Sequence, residues 1–166
     1  PFGDLIRHAG LGFHATHSAE DFDRISRDPD LWHPRRGLRI ILSQVSSWLQ
    51  RAYDAITDVY EPGTVLVGHA LSFATRVFED EHGVPAATVH LAPSIFRSDY
   101  QQPAIAPGVD LSRAPRWVKR GFWWTLDRLL IDPHVVPALN RFRQDLGLPP
   151  VTRVMRDWVH SPRLVV

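Results

Sequence analysis

The sequence contains no cysteine, only one methionine and, at position 119, only one lysine. Without cysteine the chain can form no disulfide, thiol nucleophile or cysteine-ligated zinc site, and its redox compartment stays open. It also lacks a recognisable signal peptide, and no apolar run approaches the ~18 residues of a membrane-spanning segment. We therefore expect a cytoplasmic location.

An excess of charge of one sign is missing too, because 19 Lys and Arg residues stand against 18 Asp and Glu residues, a formal net charge of +1. A protein that grips nucleic-acid phosphates needs cations clustered on one face, whereas here arginines and acids are interspersed. We therefore predict no nucleic-acid partner. With 166 residues, 44% hydrophobic and 22% charged, the chain suffices for one folded domain with its own core.

Several motifs that identify enzymes and cofactor sites are absent: the G-x-S-x-G elbow, the Walker loop and the G-x-G-x-x-G loop. Nine histidines invite a metal interpretation, above all His14 and His17, with His33 further along. Zinc sites, however, hold their ligands on a fixed frame, and residues 14–17 pass from a predicted strand into a loop. We predict no metal site and no resident cofactor in this chain.

Residues 65–94 carry the strongest structural pattern. Two short apolar runs, at 65–68 and 86–91, flank a helical pattern that ends at Gly83. Neither run alternates apolar with polar residues, which is typical of parallel strands covered on both faces. The segment therefore predicts a βαβ unit in an α/β fold, with helices on both faces of a parallel sheet. Ligands in such sheets gather at the carboxyl ends of the strands, here residues 68–70 and 92–94.

The other elements follow from periodicity and capping residues. Residues 2–9 predict a short helix with Leu5 and Ile6 inward, and residues 11–15 a short strand. Ser18 begins a capping box for a helix that carries Phe22 and Ile25. Apolar residues three and four apart predict one long amphipathic helix from Pro34 to position 59.

The second half is predicted to be mainly helical. A loop at 93–115 precedes a helix that begins at Pro115 and stops at residues 132–133. A further helix ends at Gly147, in keeping with glycine's preference just beyond helix termini. A short helix at 151–158 and a terminal strand at 164–166 complete the prediction. A loop as long as 93–115 inside one domain is usually functional or mobile.

Two histidines and a group of large rings are candidates for function. His69 lies where the first predicted strand meets its helix, so its imidazole can face a ligand, whereas His90 lies within the second strand and is interpreted as a core histidine. Trp123 and Trp124 cannot both point the same way on a helix, so at least one lines a cleft or stays exposed. With Trp117 and the nearby cations, this leaves a weak membrane-surface contact open.

Four segments in order resemble the bacterial family 1 glycosyltransferases, the group that includes macrolide and flavonoid sugar transferases. They are AGLGF at 9–13, DPDLWHP at 28–34, the block at 83–94 that begins GVP and ends HLAPS, and LGLPP at 146–150. The resemblance implies a GT-B architecture, in which two Rossmann-like domains hold the acceptor and the nucleotide-sugar. Residues 1–166 would be most of the first, acceptor-binding domain, without its first strand and without the donor domain.

The resemblance also implies where the chemistry lies. The general base is expected in a glycine-histidine loop upstream of Pro1, so we assign no catalytic residue. Plant relatives orient that base with an aspartate near the end of the fourth strand, but residues 68–70 read Gly-His-Ala. The position of His69 and the family's acceptor-lining segments together predict acceptor contacts from His69, Pro93, Ser94, Phe96, Ser98, Phe122, Trp123 and Trp124.

The function implied is acceptor binding in an inverting glycosyltransferase that moves a sugar from a nucleotide-diphosphate sugar to a hydroxyl of a lipophilic small molecule. The co-substrate would be bound mainly by the absent domain, and this chain alone would be inactive. The alternative is a stand-alone α/β module that binds an apolar ligand or docks on a membrane without catalysis. A hydrolase or reductase would need a nucleophile or cofactor loop that this sequence does not contain.

Overall fold

The computed structural model describes residues 2–33, 36–101 and 110–166. Three short parallel strands are present, and most of the described residues are helical. The strands are β1 (Leu66–His69), β2 (Ala86–Val89) and β3 (Leu164–Val165). The α-helices are α1 (Gly3–His8), α2 (Ala19–Ser26), α3 (Arg36–Val59), α4 (Phe73–His82), α5 (Arg116–Leu126) and α6 (Asp132–Asp145). Short 3₁₀ turns cover Pro29–Trp32 and Pro93–Ile95, and π-helical turns cover Asp127–Ile131 and Val154–Trp158.

The predicted βαβ unit is confirmed as β1, α4 and β2. The two strands pair in parallel, with Leu66 opposite Ala86 and His69 opposite Val89, and β3 joins the far side of β2. Gly83 ends α4 in the left-handed conformation, with φ of 65°, as its missing Cβ allows. The chain is therefore a mixed α/β protein with strand order β1-β2-β3.

The expected cover on both faces of the sheet holds for only part of it. Consecutive residues of β2 are buried, so both of its faces are covered, but Val67 on β1 is 68% exposed. Within the described residues the prediction is wrong for β1, because the face that carries Val67 is left uncovered. The one buried residue of β1, Gly68, faces α4.

The long amphipathic helix is confirmed, and so is the serine half of the capping box. α3 runs over 24 residues, while Pro34 lies outside the described residues. Ser18 precedes α2, and its Oγ accepts the amide of Asp21 at 3.0 Å. The main core lies where α3, α4 and α6 meet the second π-helical turn, and it contains Leu42, Leu49, Phe73, Val77, Leu139, Met155 and Val159.

Three local predictions are corrected. Residues 11–15 form no strand, because none of the described strands lies beside them to complete a hydrogen-bonded ladder. Leu5 faces outward and is 71% exposed rather than packed inward. Asp132 and Pro133 start α6 directly after the π-helical turn, since a proline in a first turn needs no amide partner. Residues 102–109 of the predicted 93–115 loop lie outside the described residues.

Candidate functional site

A pocket of about 580 Å³ lies between α2, α3 and the turn that leads from β1 into α4. Its wall is mainly apolar, and the groups that give it this character are Phe22, Ile25, Leu31, Ile41, Leu49 and Phe73. Polar atoms enter at a few points only, from Thr16, His17, Asp21, Ser26, His69 and Ser72. An apolar cavity with few polar anchors is the usual form of a small-molecule site.

His17 is one of the polar residues that line this pocket, and its ring is held by two neighbours. Its ring meets the Trp48 ring edge-on, with centroids 5.3 Å apart, and its Nδ1 lies 3.0 Å from Thr16 Oγ1. Its Nε2 is buried and has no hydrogen-bond partner among the described residues. Burial and the nearby Arg51 lower the pKa of His17, so a neutral imidazole is favoured. Because this nitrogen has almost no accessible surface, a hydroxyl of a bound molecule would pair with it only after the side chains around it move.

Asp21 adds a negative charge beside His17. Its Oδ1 accepts a hydrogen bond from Arg24 at 3.0 Å, and Arg51 lies 3.7 Å from Oδ2. Hydrogen bonds from Arg24 and Ser18 lower the pKa of Asp21, so this carboxylate is ionised at neutral pH. The pocket thus combines a neutral hydrogen-bonding ring with a fixed anion.

His69 reaches the pocket from the carboxyl end of β1. Its Nδ1 accepts the amide of Leu71 at 3.3 Å, which fixes the ring where the strand turns into α4. Gly68 makes this approach feasible, because a Cβ at this position would lie 2.8 Å from the Cβ of Thr75 on α4. This packing places the imidazole at the strand end, where ligand contact stays a prediction.

The other predicted acceptor contacts lie elsewhere. Pro93 and Ser94 belong to the 3₁₀ turn after β2, and the Phe96 ring lies 4.8 Å from His90 and stacks on His160. The Oγ of Ser98 accepts the amides of Tyr100 and Gln101 at 3.2 Å, so it closes a turn.

The tryptophan pair divides as predicted, with one ring inside and one outside. Trp123 is 1% exposed, contacts Phe122 edge-on at 5.4 Å and lies under Arg97, whose guanidinium is 4.3 Å from the ring centre. Trp124 is exposed and borders a second groove with Arg120 and Arg128. Of the eight predicted residues, His69 alone lines the 580 Å³ pocket, and acceptor binding by the others stays a prediction.

Sequence reasoning missed His17, Asp21 and Trp48 as pocket residues. The sequence indicates His17 only as a possible metal ligand, although His17 lies just before the capped helix α2. Trp48 follows the same three- and four-residue spacing that predicted α3, because it lies four residues before Ala52. What the sequence could not supply is the contact between α2 and α3.

His90 is less well satisfied than predicted. It follows β2, and its Nε2 lies 2.9 Å from Nδ1 of His160, but its Nδ1 is buried without a partner among the described residues. Burial is the main cause that lowers the pKa of both rings. Within the ranges that the structure covers, no three or more His, Cys, Asp or Glu side chains are grouped to hold a metal ion.

Comparison with known proteins adds no family. No protein-family model matches the sequence, and no curated protein matches it significantly. Among the helices that the described ranges contain, none has the length and apolarity to cross a lipid bilayer.

Proposed function

We propose that this chain binds the acceptor for a glycosyltransferase of GT-B architecture, which transfers a sugar from a nucleotide-diphosphate sugar to a hydroxyl of a lipophilic small molecule. The observation that carries the proposal is the apolar 580 Å³ pocket at the end of β1, with a buried imidazole nitrogen left unpaired. The resemblance of the four sequence segments supplies the reaction class.

The pocket residues suit this role. Apolar side chains such as Phe22, Ile41 and Phe73 would bury the body of a lipophilic acceptor. After a local movement of the side chains around it, His17 Nε2 would form one hydrogen bond with the acceptor's hydroxyl, and the ionised Asp21 beside the ring would favour a polarised hydroxyl. The nucleotide-diphosphate sugar would be held by a second domain, and the base that deprotonates the attacking hydroxyl lies outside this chain in the same proposal.

Acceptor binding is tested by calorimetric titration of the chain with a flavonol and with a macrolide aglycone. We expect at least one of them to bind, and we expect Phe22→Ala to weaken binding about tenfold, the effect of losing about 1.4 kcal/mol of apolar contact. Phe13→Ala is the matched control, because Phe13 is comparably exposed but does not line the pocket.

Failure of both compounds to bind, or equal weakening by the Phe13 and Phe22 substitutions, would refute the acceptor role of this pocket. Sugar transfer is a separate readout. Turnover of a nucleotide-sugar by residues 1–166 alone would contradict the assignment of the donor site and the base to other parts of the enzyme.

A further inference from the structure

A second surface, unrelated to the pocket, exposes large apolar side chains on α5 and the π-helical turn that follows it. Trp117 and Trp124 are 76% and 63% exposed, and a spacing of seven residues places them on the same side of the helix. Leu129 and Leu130 are also more than half exposed. They follow in the π-helical turn, a quarter of a turn or more around the axis from Trp124, so we call the side of α5 that carries Trp117 and Trp124 the tryptophan face.

The tryptophan face is surrounded by positive charge. Arg113, Arg116, Arg120 and Arg128 are exposed around it. Among residues 111–131 the one acidic residue is Asp127, which is buried and paired with Arg97 at 2.9 Å, while Asp110 and Asp132 lie just beyond the two ends and Asp132 lines the groove beside Trp124. The whole chain is nearly neutral, so the positive charge of this segment is balanced by acidic residues elsewhere in the sequence.

The contacts of these cations leave much of the charge available. The guanidinium of Arg116 lies 4.0 Å from the centre of the Tyr100 ring, and Arg120 pairs with Asp99 at 2.9 Å. Lys119 points inward instead, where its Nζ donates to two backbone carbonyls. The cations that remain outside therefore flank exposed indole rings.

We propose that the tryptophan face docks on an anionic lipid surface, with α5 lying along it. Indole rings prefer the boundary between headgroups and acyl chains, and arginines beside them are attracted to anionic headgroups. The complementarity is one of charge as well as of polarity, since the cations lie around the rings. This function does not depend on sugar transfer or on the 580 Å³ pocket.

The test is co-sedimentation of the 166-residue chain with phosphatidylcholine vesicles that contain or lack phosphatidylglycerol. We expect binding to the anionic vesicles, at least tenfold weaker binding to the neutral ones, and loss of binding as salt screens the charges. Trp124→Ala should weaken binding to the anionic vesicles about tenfold, and Arg128→Gln about fivefold.

Trp32→Ala is the matched control. Trp32 is 79% exposed, but it lies on another element, close to Asp28 and Asp30, so its removal should leave binding unchanged. Because Trp32, Trp124 and Arg128 are all exposed, circular dichroism should show the same fold for all three variants.

Three results would overturn the proposal. The first is no binding to either vesicle, which is expected if the tryptophan face instead contacts a protein partner. The others are equal binding to both vesicles, and the same loss of binding from Trp32→Ala as from Trp124→Ala. The vesicles contain neither acceptor nor nucleotide-sugar. The outcome is therefore independent of the calorimetric test of the pocket.

Discussion

The pocket and the far side of α4 differ in the side chains that pack there: mainly apolar ones line the pocket, and buried charged ones lie beyond α4. Around the pocket, α2 and the preceding residues are held by few contacts, and none of the α2 residues is fully buried. On the other side, α4 meets α6 and the second π-helical turn through a cluster of buried charged and polar groups. A rigid scaffold that carries a loosely packed binding edge is a common arrangement, because ligand sites need regions that can open locally.

Asp80, whose own side chain is 23% exposed, joins the buried arginines of that cluster. Its carboxylate accepts Arg76 at 2.9 Å, Arg143 at 2.6 Å and the indole N–H of Trp158 at 2.8 Å. Both guanidinium groups also lie over the Trp158 ring, 5.5 and 5.4 Å from its centre. One carboxylate thus connects three elements that are distant in sequence.

The largest predicted effect comes from removing this carboxylate. Asp80→Ala leaves the Arg143 guanidinium, whose side chain is 3% exposed, without its carboxylate, so we expect a loss of about 3 kcal/mol in unfolding free energy. Urea unfolding followed by circular dichroism measures it. The control is Asp157→Ala, which breaks an exposed pair with Arg153 and should cost less than about 1 kcal/mol. Equal losses in the two variants would show that burial does not separate them.

The same carboxylate predicts an acid limit to stability. Burial opposes its charge, but hydrogen bonds from Trp158 and Arg143 outweigh that effect and lower the pKa of Asp80. A lowered folded-state pKa means that its contribution is complete above the ordinary value of about 3.9 and is lost as the pH falls through the folded-state value. Asp80→Ala should therefore unfold with a flatter pH dependence in acid.

Gly68 marks the boundary between the two regions. A methyl group there would meet Thr75 at 2.8 Å, so Gly68→Ala must push β1 and α4 apart, at a cost of about 1–3 kcal/mol. Gly121→Ala serves as the control, because nothing lies within 4 Å of a Cβ there and alanine favours a helix by up to about 1 kcal/mol. Thermal unfolding distinguishes the two, and a stabilised Gly68→Ala protein would contradict the close contact.

The sequence predicted the elements whose signals are local. Periodicity gave α3, the serine cap gave the start of α2, and glycines at 83 and 147 gave two helix ends, with φ of 65° and 72°. These features depend on neighbouring residues alone. The βαβ unit was also predictable, because continuous apolar runs around one helix leave few arrangements for a parallel sheet.

The pocket and the polar cluster were not predictable, because both depend on residues far apart in the chain. Trp158 donates to Asp80 from 78 residues away, and no local pattern indicates it. For residues 11–15 the local pattern was misleading: their apolar composition predicts a strand, but no described strand lies beside them to pair with. The position of His69 at the pocket was predictable because the end of a parallel strand is defined by the strand itself.

The smallest predicted effect concerns His90 and His160, which lie near the ends of the sheet strands and next to the buried cluster. Their 2.9 Å contact needs one donor and one acceptor, so full protonation of both rings would break it. Burial is the first cause that lowers the pKa of each ring, and the charges that act on them come from His69, Asp157, Arg76 and Arg97. Since the folded-state pKa is lowered, their contribution to stability is complete above the ordinary value of about 6.5 and is lost as the pH falls.

His160→Asn tests this contribution, because asparagine can still hydrogen-bond but does not titrate. Unfolding free energy measured from about pH 7 to about pH 5 should fall less in this variant than in the parent protein. His14→Asn, at an exposed position, should keep the slope of the parent. A steeper slope in His160→Asn would mean that the pair gains stability from protonation, opposite to the effect of its burial.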